Sequence, residues 1–240
     1  MTTTFLRASR ATALALALAV AGCSNPADDK FQVTATDPKP VPEAAPAPTA
    51  TATTAPAPAP EAKVEAAPTP AASATALAIA PEGSKIEFIG SKVTGSHNGG
   101  FKAFSGTAEL AADKASLSKV TVEIDMNSTW ADDAKLTGHL KSPDFFDVPK
   151  HPKATFVSTE IKPGGAKGAT HTITGNLTLH GVTKSISIPA TVTVKDGGLT
   201  LLSEFALSRK DFAITYAGMS NNLIRDEVVV KLDVKSPKKA

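Results

Sequence analysis

Residues 119–126 read KVTVEIDM. Along an extended chain Val120, Val122, Ile124 and Met126 point one way and Thr121, Glu123 and Asp125 the other, the period of two that marks a strand with one buried face and one solvated face. Half-solvated strands of this kind belong to antiparallel sheets. On the N-terminal side the same alternation recurs in residues 85–93 (KIEFIGSKV) and 101–110 (FKAFSGTAEL). On the C-terminal side it recurs in 153–161 (KATFVSTEI), 171–179 (HTITGNLTL), 184–194 (KSISIPATVTV), 199–208 (LTLLSEFALS) and 227–235 (EVVVKLDVK). Eight strands are therefore expected. The breakers between them, such as PGGAKG (163–168) and DGG (196–198), are short enough to impose antiparallel pairing. Between the third and fourth strands ADDAKLTGHLKS (131–142) predicts a short helix, with Leu136 and Leu140 four apart and Asp132 and Asp133 in its first turn.

Eight antiparallel strands form either a closed barrel or a two-sheet sandwich, and closure removes the edges that invite aggregation. An eight-stranded barrel is wide enough to be filled by side chains or to hold one small ligand. Alternation alone does not separate a packed interior from a hollow one. The aromatic stock is modest, ten Phe with one Tyr and one Trp.

The rest of the chain is organised differently. Arg7 and Arg10 precede an apolar run from Ala11 to Ala21, too short to span a bilayer but suited to the core of a signal peptide over residues 1–22. The run ends in LAVAGC (18–23), which resembles the bacterial lipobox. That resemblance assigns Cys23, the chain's one cysteine, as the site of lipid attachment, and several acyl chains hold a protein at a membrane far better than one. Ser24 follows, and the resemblance to lipoproteins then favours the outer membrane, facing the periplasm. Residues 23–81 hold 12 of the 18 prolines and one aromatic, Phe31. Such a composition buries too little apolar surface to offset its ordering entropy, and predicts a disordered linker with a reach on the order of 180 Å. The folded domain is expected over residues 82–240.

Charge excludes one class of partner. The formal net charge is +2, and residues 84–240 carry 20 Lys or Arg against 16 Asp or Glu, spread along the strands rather than clustered into the basic face a nucleic-acid binder needs. One cysteine excludes an intrachain disulfide, a Cys-rich zinc site and a CxxC redox motif.

Three stretches carry more than pattern. HLKSPDFFDVPKHPKATFVST (139–159), ITGNLTLHGVTKSISIPATV (173–192) and LSRKDFAITY (207–216) followed by DEVVVKLDV (226–234) closely resemble the YceI family, in order and at ordinary spacing. The resemblance implies an all-β, lipocalin-like antiparallel barrel with a helix near its mouth, in the periplasm or secreted. It also implies an apolar interior for a polyisoprenoid or another apolar lipid. The lipobox and linker depart from the many family members that are soluble periplasmic proteins.

On that basis Phe88, Phe101, Phe104, Phe156, Phe205, Phe212 and Tyr216 are candidates to line a lipid tunnel, with Leu136, Leu140, Phe145 and Phe146 at or near its mouth. Catalysis is not expected. Asp144 and Asp147 flank Phe145 and Phe146 as an acid and base would, but a capped turn needs the same residues. His97, His139, His151, His171 and His180 show no pair at helical spacing, so no metal or cofactor site is expected. His180 and Gly181 read as a turn. Ser208, Arg209, Lys210 and Asp211 read equally as a charged turn or as contacts to a polar ligand head. GSHNGGF (95–101) lacks the Lys-Ser/Thr of a phosphate loop and reads as a flexible loop at a barrel end. Two functions follow: a membrane-anchored lipid binder serving transport, storage or protection, or a stress-related periplasmic interaction protein whose barrel core is solid.

Overall fold

The computed structural model describes residues 25–41, 75–113, 115–220 and 222–236. The expected signal peptide and Cys23 lie outside these residues, as do 42–74. In chain order the strands are β1 (Phe31–Val33), β2 (Thr75–Ile79), β3 (Lys85–Lys92), β4 (Gly95–Phe101), β5 (Phe104–Leu110), β6 (Leu117–Asp125) and β7 (Thr129–Ala131). After helix α1 (Ala134–Leu140) come β8 (Lys153–Pro163), β9 (His171–Leu179), β10 (Val182–Lys195), β11 (Gly198–Ser208), β12 (Gly218–Met219), β13 (Asn222–Leu223) and β14 (Glu227–Ser236).

β6 behaves as its alternation requires. Val120 and Val122 are buried while Glu123 is exposed, and the strand pairs antiparallel with β5 through Thr107–Thr121 and with β8 through Val122–Phe156. Met126 leaves the pattern because the chain there turns into a short 3-10 segment, capped by the Asp125 carboxylate on Asn127 N–H at 2.9 Å. Met126 packs instead with Val148 and Ala154.

One antiparallel sheet runs in the order β2-β5-β6-β8-β9-β10-β11-β14-β3-β4-β7 and curls into a lipocalin-like barrel. Its core includes Ile173, Ile188, Leu201 and Phe205, each contributing about 1.5–3 kcal/mol by leaving water. β10 makes the sharpest change of partner. It pairs with β9 from Val182 to Ala190 and with β11 from Thr191 to Lys195, so the switch falls just after Pro189, which has no N–H for a ladder. The Pro189 carbonyl accepts from the buried Ser203 hydroxyl at 2.6 Å.

The sheet holds twelve strands rather than eight, and three expectations are corrected. GSHNGGF is not a loop but β4, paired with β3 from Ile86–Phe101 to Lys92–Gly95. The stretch expected as a single strand, 101–110, breaks between Phe101 and Phe104 into the end of β4 and all of β5. The segment expected to be a disordered linker is ordered at both ends. Leu77 and Ile79 of β2 are buried, and β2 pairs with β5. Residues 25–41 lie on the barrel wall: β1 runs parallel to β11, Thr36 bridges to Ser185 of β10, and Val33 is buried in the main core. β1 thus occupies the gap that β10 opens when it leaves β11. The opposite seam is held by Ser236 Oγ donating to Ala78 O and by Lys235 N–H donating to Ser84 Oγ at 3.0 Å.

The helix is shorter than expected because Ala131 belongs to β7. Asp133 is its N-cap and accepts from Leu136 N–H at 2.8 Å, whereas Asp132 turns back to Asn98 N–H at 2.8 Å.

Candidate functional site

Inward-facing residues of β3, β6, β8, β9, β10, β11 and β14 leave a cavity of about 240 Å³ inside the barrel. Its wall is almost wholly carbon, with Ile173 and Leu177 from β9, Ile186 and Ile188 from β10, and Val230 and Leu232 from β14 among its residues. Polar side chains enter the described wall only at Glu87, Ser91, Arg209 and Arg225.

Seven of the eleven expected ligand residues line this space: Phe88, Phe101, Leu140, Phe145, Phe146, Phe156 and Phe205. The other four do not. Phe104 and Phe212 are buried in the core around the cavity. Leu136 and Tyr216 pack against the Leu140, Phe145 and Ile214 cluster behind the wall. Alternation tells which way such a side chain faces, but not its height along the barrel.

The adjacent rings of Phe145 and Phe146 join two different groups. Phe146 lies 6.3 Å from Phe88 and 6.2 Å from Phe101, whose rings are themselves 5.7 Å apart. Phe145 lies 4.9 Å from His139 and 5.4 Å from Tyr216, and His139 Nε2 is 2.8 Å from Asp144. The loop after α1 therefore closes its part of the barrel with aromatic faces on both sides. Asp144 and Asp147 serve that loop rather than each other: Asp147 pairs with Lys150 at 2.7 Å.

Two glycines make room for two of the cavity rings. A Cβ on Gly99 would lie 2.4 Å from Phe88 Cζ, and one on Gly175 would lie 2.4 Å from Phe156 Cζ, closer than any side chain tolerates. Each phenyl ring rests on the bare backbone of its neighbouring strand. This is why Gly99 of GSHNGGF sits inside a strand, where glycine otherwise weakens pairing.

Arg209 is 6 % exposed. Its guanidinium donates to Ile214 O at 2.7 Å, to Arg225 O at 3.0 Å and to Asp226 Oδ1 at 3.2 Å. Burial pulls its pKa below the ordinary value, and the charges of Asp226 and Glu227 oppose that shift. The charged turn is thereby tied to the segment 214–226, and each of the three Arg209 guanidinium nitrogens donates within the protein. Arg225 Nε, buried and on the same wall, meets no acceptor among the described residues.

Sequence reasoning missed one convergence. Asp147, His151 and His180 bring a donor atom each to within 4.8 Å of one another. No two histidines fall at helical spacing, and the signal the sequence does hold is Asp147 and His151, four apart in DVPKH.

Residues 77–236 match the YceI-like domain family. Over 94 residues the chain is 44 % identical to a UPF0312 protein of Pseudomonas putida, covering 39 % of this chain and 48 % of that one. A UPF0312 protein of Pectobacterium atrosepticum is 45 % identical over 92 residues, 38 % of this chain and 46 % of its own length. The matched stretch thus spans about half the length of these curated relatives. Among solved structures, BcnA of Burkholderia cenocepacia superposes with a TM-score of 0.58 at 26 % identity, over 66 % of this chain and 99 % of that one. A polyisoprenoid binding domain from Saccharophagus degradans shares the fold, with a TM-score of 0.53 at 17 % identity over 69 % of this chain and all of that one.

Proposed function

The chain belongs to the YceI-like family, and from that premise we propose that it holds a polyisoprenoid or related amphiphile inside the barrel, as carrier, store or shield rather than as enzyme. The cavity carries this reading: a hollow, carbon-lined interior has no purpose in a barrel whose stability comes from a packed core, since each unfilled volume forfeits packing contacts. Burying one five-carbon isoprene unit contributes on the order of 4 kcal/mol. Ordering the chain and the wall offsets much of it, so affinity should rise over the first few units and then level off.

Native mass spectrometry of the full chain, purified in mild detergent from its host, tests the proposal. A retained lipid mass is expected. A chain that retains no lipid and binds no added polyprenol overturns it in favour of a protein-interaction module.

The same reading includes an anchor on Cys23, in the cell envelope at the outer membrane. Its support is the lipobox-like LAVAGC run together with an apolar end of the barrel. Val93, Met219 and Leu223 are 46 %, 70 % and 49 % exposed, and Val93 N–H donates to Leu223 O at 3.1 Å. Cys23→Ala should move the chain from the membrane to the soluble fraction. A variant with its signal removed that still resists salt and carbonate washing rules the anchor out.

A further inference from the structure

We propose that Asp147, His151 and His180 form a binding site for a first-row divalent cation of the Zn²⁺ type, separate from the lipid cavity. None of the three lines the cavity. The antiparallel hairpin of β8 and β9, through pairs such as Thr155–Thr178, sets the start of β8 beside the end of β9. His151 and His180 therefore meet although they are far apart in sequence.

Each residue is placed for ligation. His180 Nδ1 lies 3.1 Å from Phe212 O. A carbonyl only accepts, so Nδ1 carries the proton and the Nε2 lone pair is left for a metal, the usual way a backbone carbonyl orients a metal-binding imidazole. The His151 ring lies 5.0 Å from the His180 ring at 74°, with no hydrogen bond to its nitrogens among the described residues. The His151 backbone N–H donates to Asp147 O at 2.9 Å, a five-residue turn that brings the two residues together. Asp147 is 6 % exposed, and a carboxylate so removed from water requires a cation. Lys150, its side chain 72 % exposed, supplies one at Oδ2 and leaves Oδ1 for another.

The backbone is shaped around the cluster. Asp147 and His180 both adopt positive φ, 43° and 51°, a conformation that side chains adopt at a cost and that gathers at functional sites. The two-residue turn His180–Gly181 needs positive φ at both positions, for which Asn-Gly is the ordinary solution. A histidine adds an imidazole that the turn does not require. Gly181 is fixed by more than its φ, since a Cβ there would lie 2.6 Å from His151 Cε1.

Two imidazoles and one carboxylate select Zn²⁺, Co²⁺, Ni²⁺ or Cu²⁺ over Mg²⁺ and Ca²⁺, which prefer all-oxygen sets. An ion about 2.0–2.2 Å from each donor would draw them to about 3.3 Å apart and leave a fourth position for water. It would clip the loop that carries Phe145 and Phe146 to the β9–β10 turn.

The full chain in detergent, stripped with chelator, is titrated with Zn²⁺ and with Mg²⁺ by calorimetry, beside His151→Phe and His180→Asn, the second of which restores an Asn-Gly turn. The wild type should take up one Zn²⁺ and no Mg²⁺, with at least about tenfold weaker Zn²⁺ binding in each variant. Imidazole NMR of the wild type needs no variant: Zn²⁺ should shift His151 and His180 and leave His97 and His139 unmoved. No stoichiometric uptake by the wild type, undiminished uptake by the variants, or shifts confined to the His97–Asp132 and His139–Asp144 pairs would each overturn the proposal.

Discussion

Phe31 of β1 lies in parallel register with Phe205 of β11, and two residues on Val33 lies beside Leu207. The opposing residues belong to the cavity wall, so a three-residue strand from the proline-rich part of the chain backs the cavity. Val33 is 7 % exposed, and truncating it to Ala removes two buried carbons at about 0.8 kcal/mol each. Val33→Ala should lower the unfolding free energy by about 1.5–3 kcal/mol in urea titration. A change within about 0.5 kcal/mol would mean that β1 is not part of the folded wall.

Gly175 leaves no room above it, and its Cβ would also lie 2.6 Å from Val157 O. Because backbone as well as ring must give way, Gly175→Ala should destabilise by about 1–3 kcal/mol and push the Phe156 ring into the cavity. Lipid retention should fall with stability. A Gly175→Ala chain as stable and as lipid-loaded as wild type would contradict the close approach.

Inward and outward positions of neighbouring strands should separate cleanly. Phe156→Arg places an unpaired charge in the carbon-lined cavity and should abolish lipid retention in a chain that stays folded by circular dichroism. Glu123 faces water and pairs with Lys153 at 2.7 Å, both side chains well exposed. Glu123→Lys should cost under about 1 kcal/mol and leave retention intact. Equal retention by both variants would place the lipid outside the barrel.

Asp132 offers a test by pH. The Asn98 backbone N–H, and after it the His97 side chain, hold its carboxyl below the ordinary aspartate value, against an opposing desolvation. A carboxyl depressed in the folded state contributes stability above the unfolded pKa of about 3.9 and loses it as pH falls through the folded value. Wild type should therefore lose stability more steeply than Asp132→Asn below about pH 4. The difference should be small, since the group is more than a third exposed. Parallel curves through that window would show that the β4 contact does not survive in solution.

How much of this was legible in the sequence depended on whether side chains carried the signal. β6, β8, β9 and β11 display alternation in Val, Ile, Phe and Leu, and all were read as strands. β4 is not legible because Gly95, Gly99 and Gly100 have no side chains to alternate, and the Phe88 ring that requires Gly99 lies on another strand. β1 and β2 were missed because prolines and alanines between them set the composition of the whole window, hiding three or four residues that pack. The cavity phenylalanines were legible as inward-facing, yet Phe104 and Phe212 face the same interior without reaching the hollow. His151 and His180 meet only through strand pairing, which no local spacing reports.

The docking of residues 25–41 also changes the geometry of any anchor. Asn25 Oδ1 lies 3.4 Å from the hydroxyl of Ser91, a cavity-wall residue, and Cys23 is two residues upstream, at most about 7 Å of extended chain away. Residues 42–74 come after this docked segment in the chain, so they add nothing to the distance between anchor and barrel. An acylated Cys23 would therefore hold the Ser91 end of the cavity against the headgroup layer, where the expected linker would have allowed a separation on the order of 180 Å. Lipid exchange in that geometry would involve no aqueous crossing: a guest would move between bilayer and barrel across a shared boundary, and the membrane, not bulk solvent, would set its effective concentration.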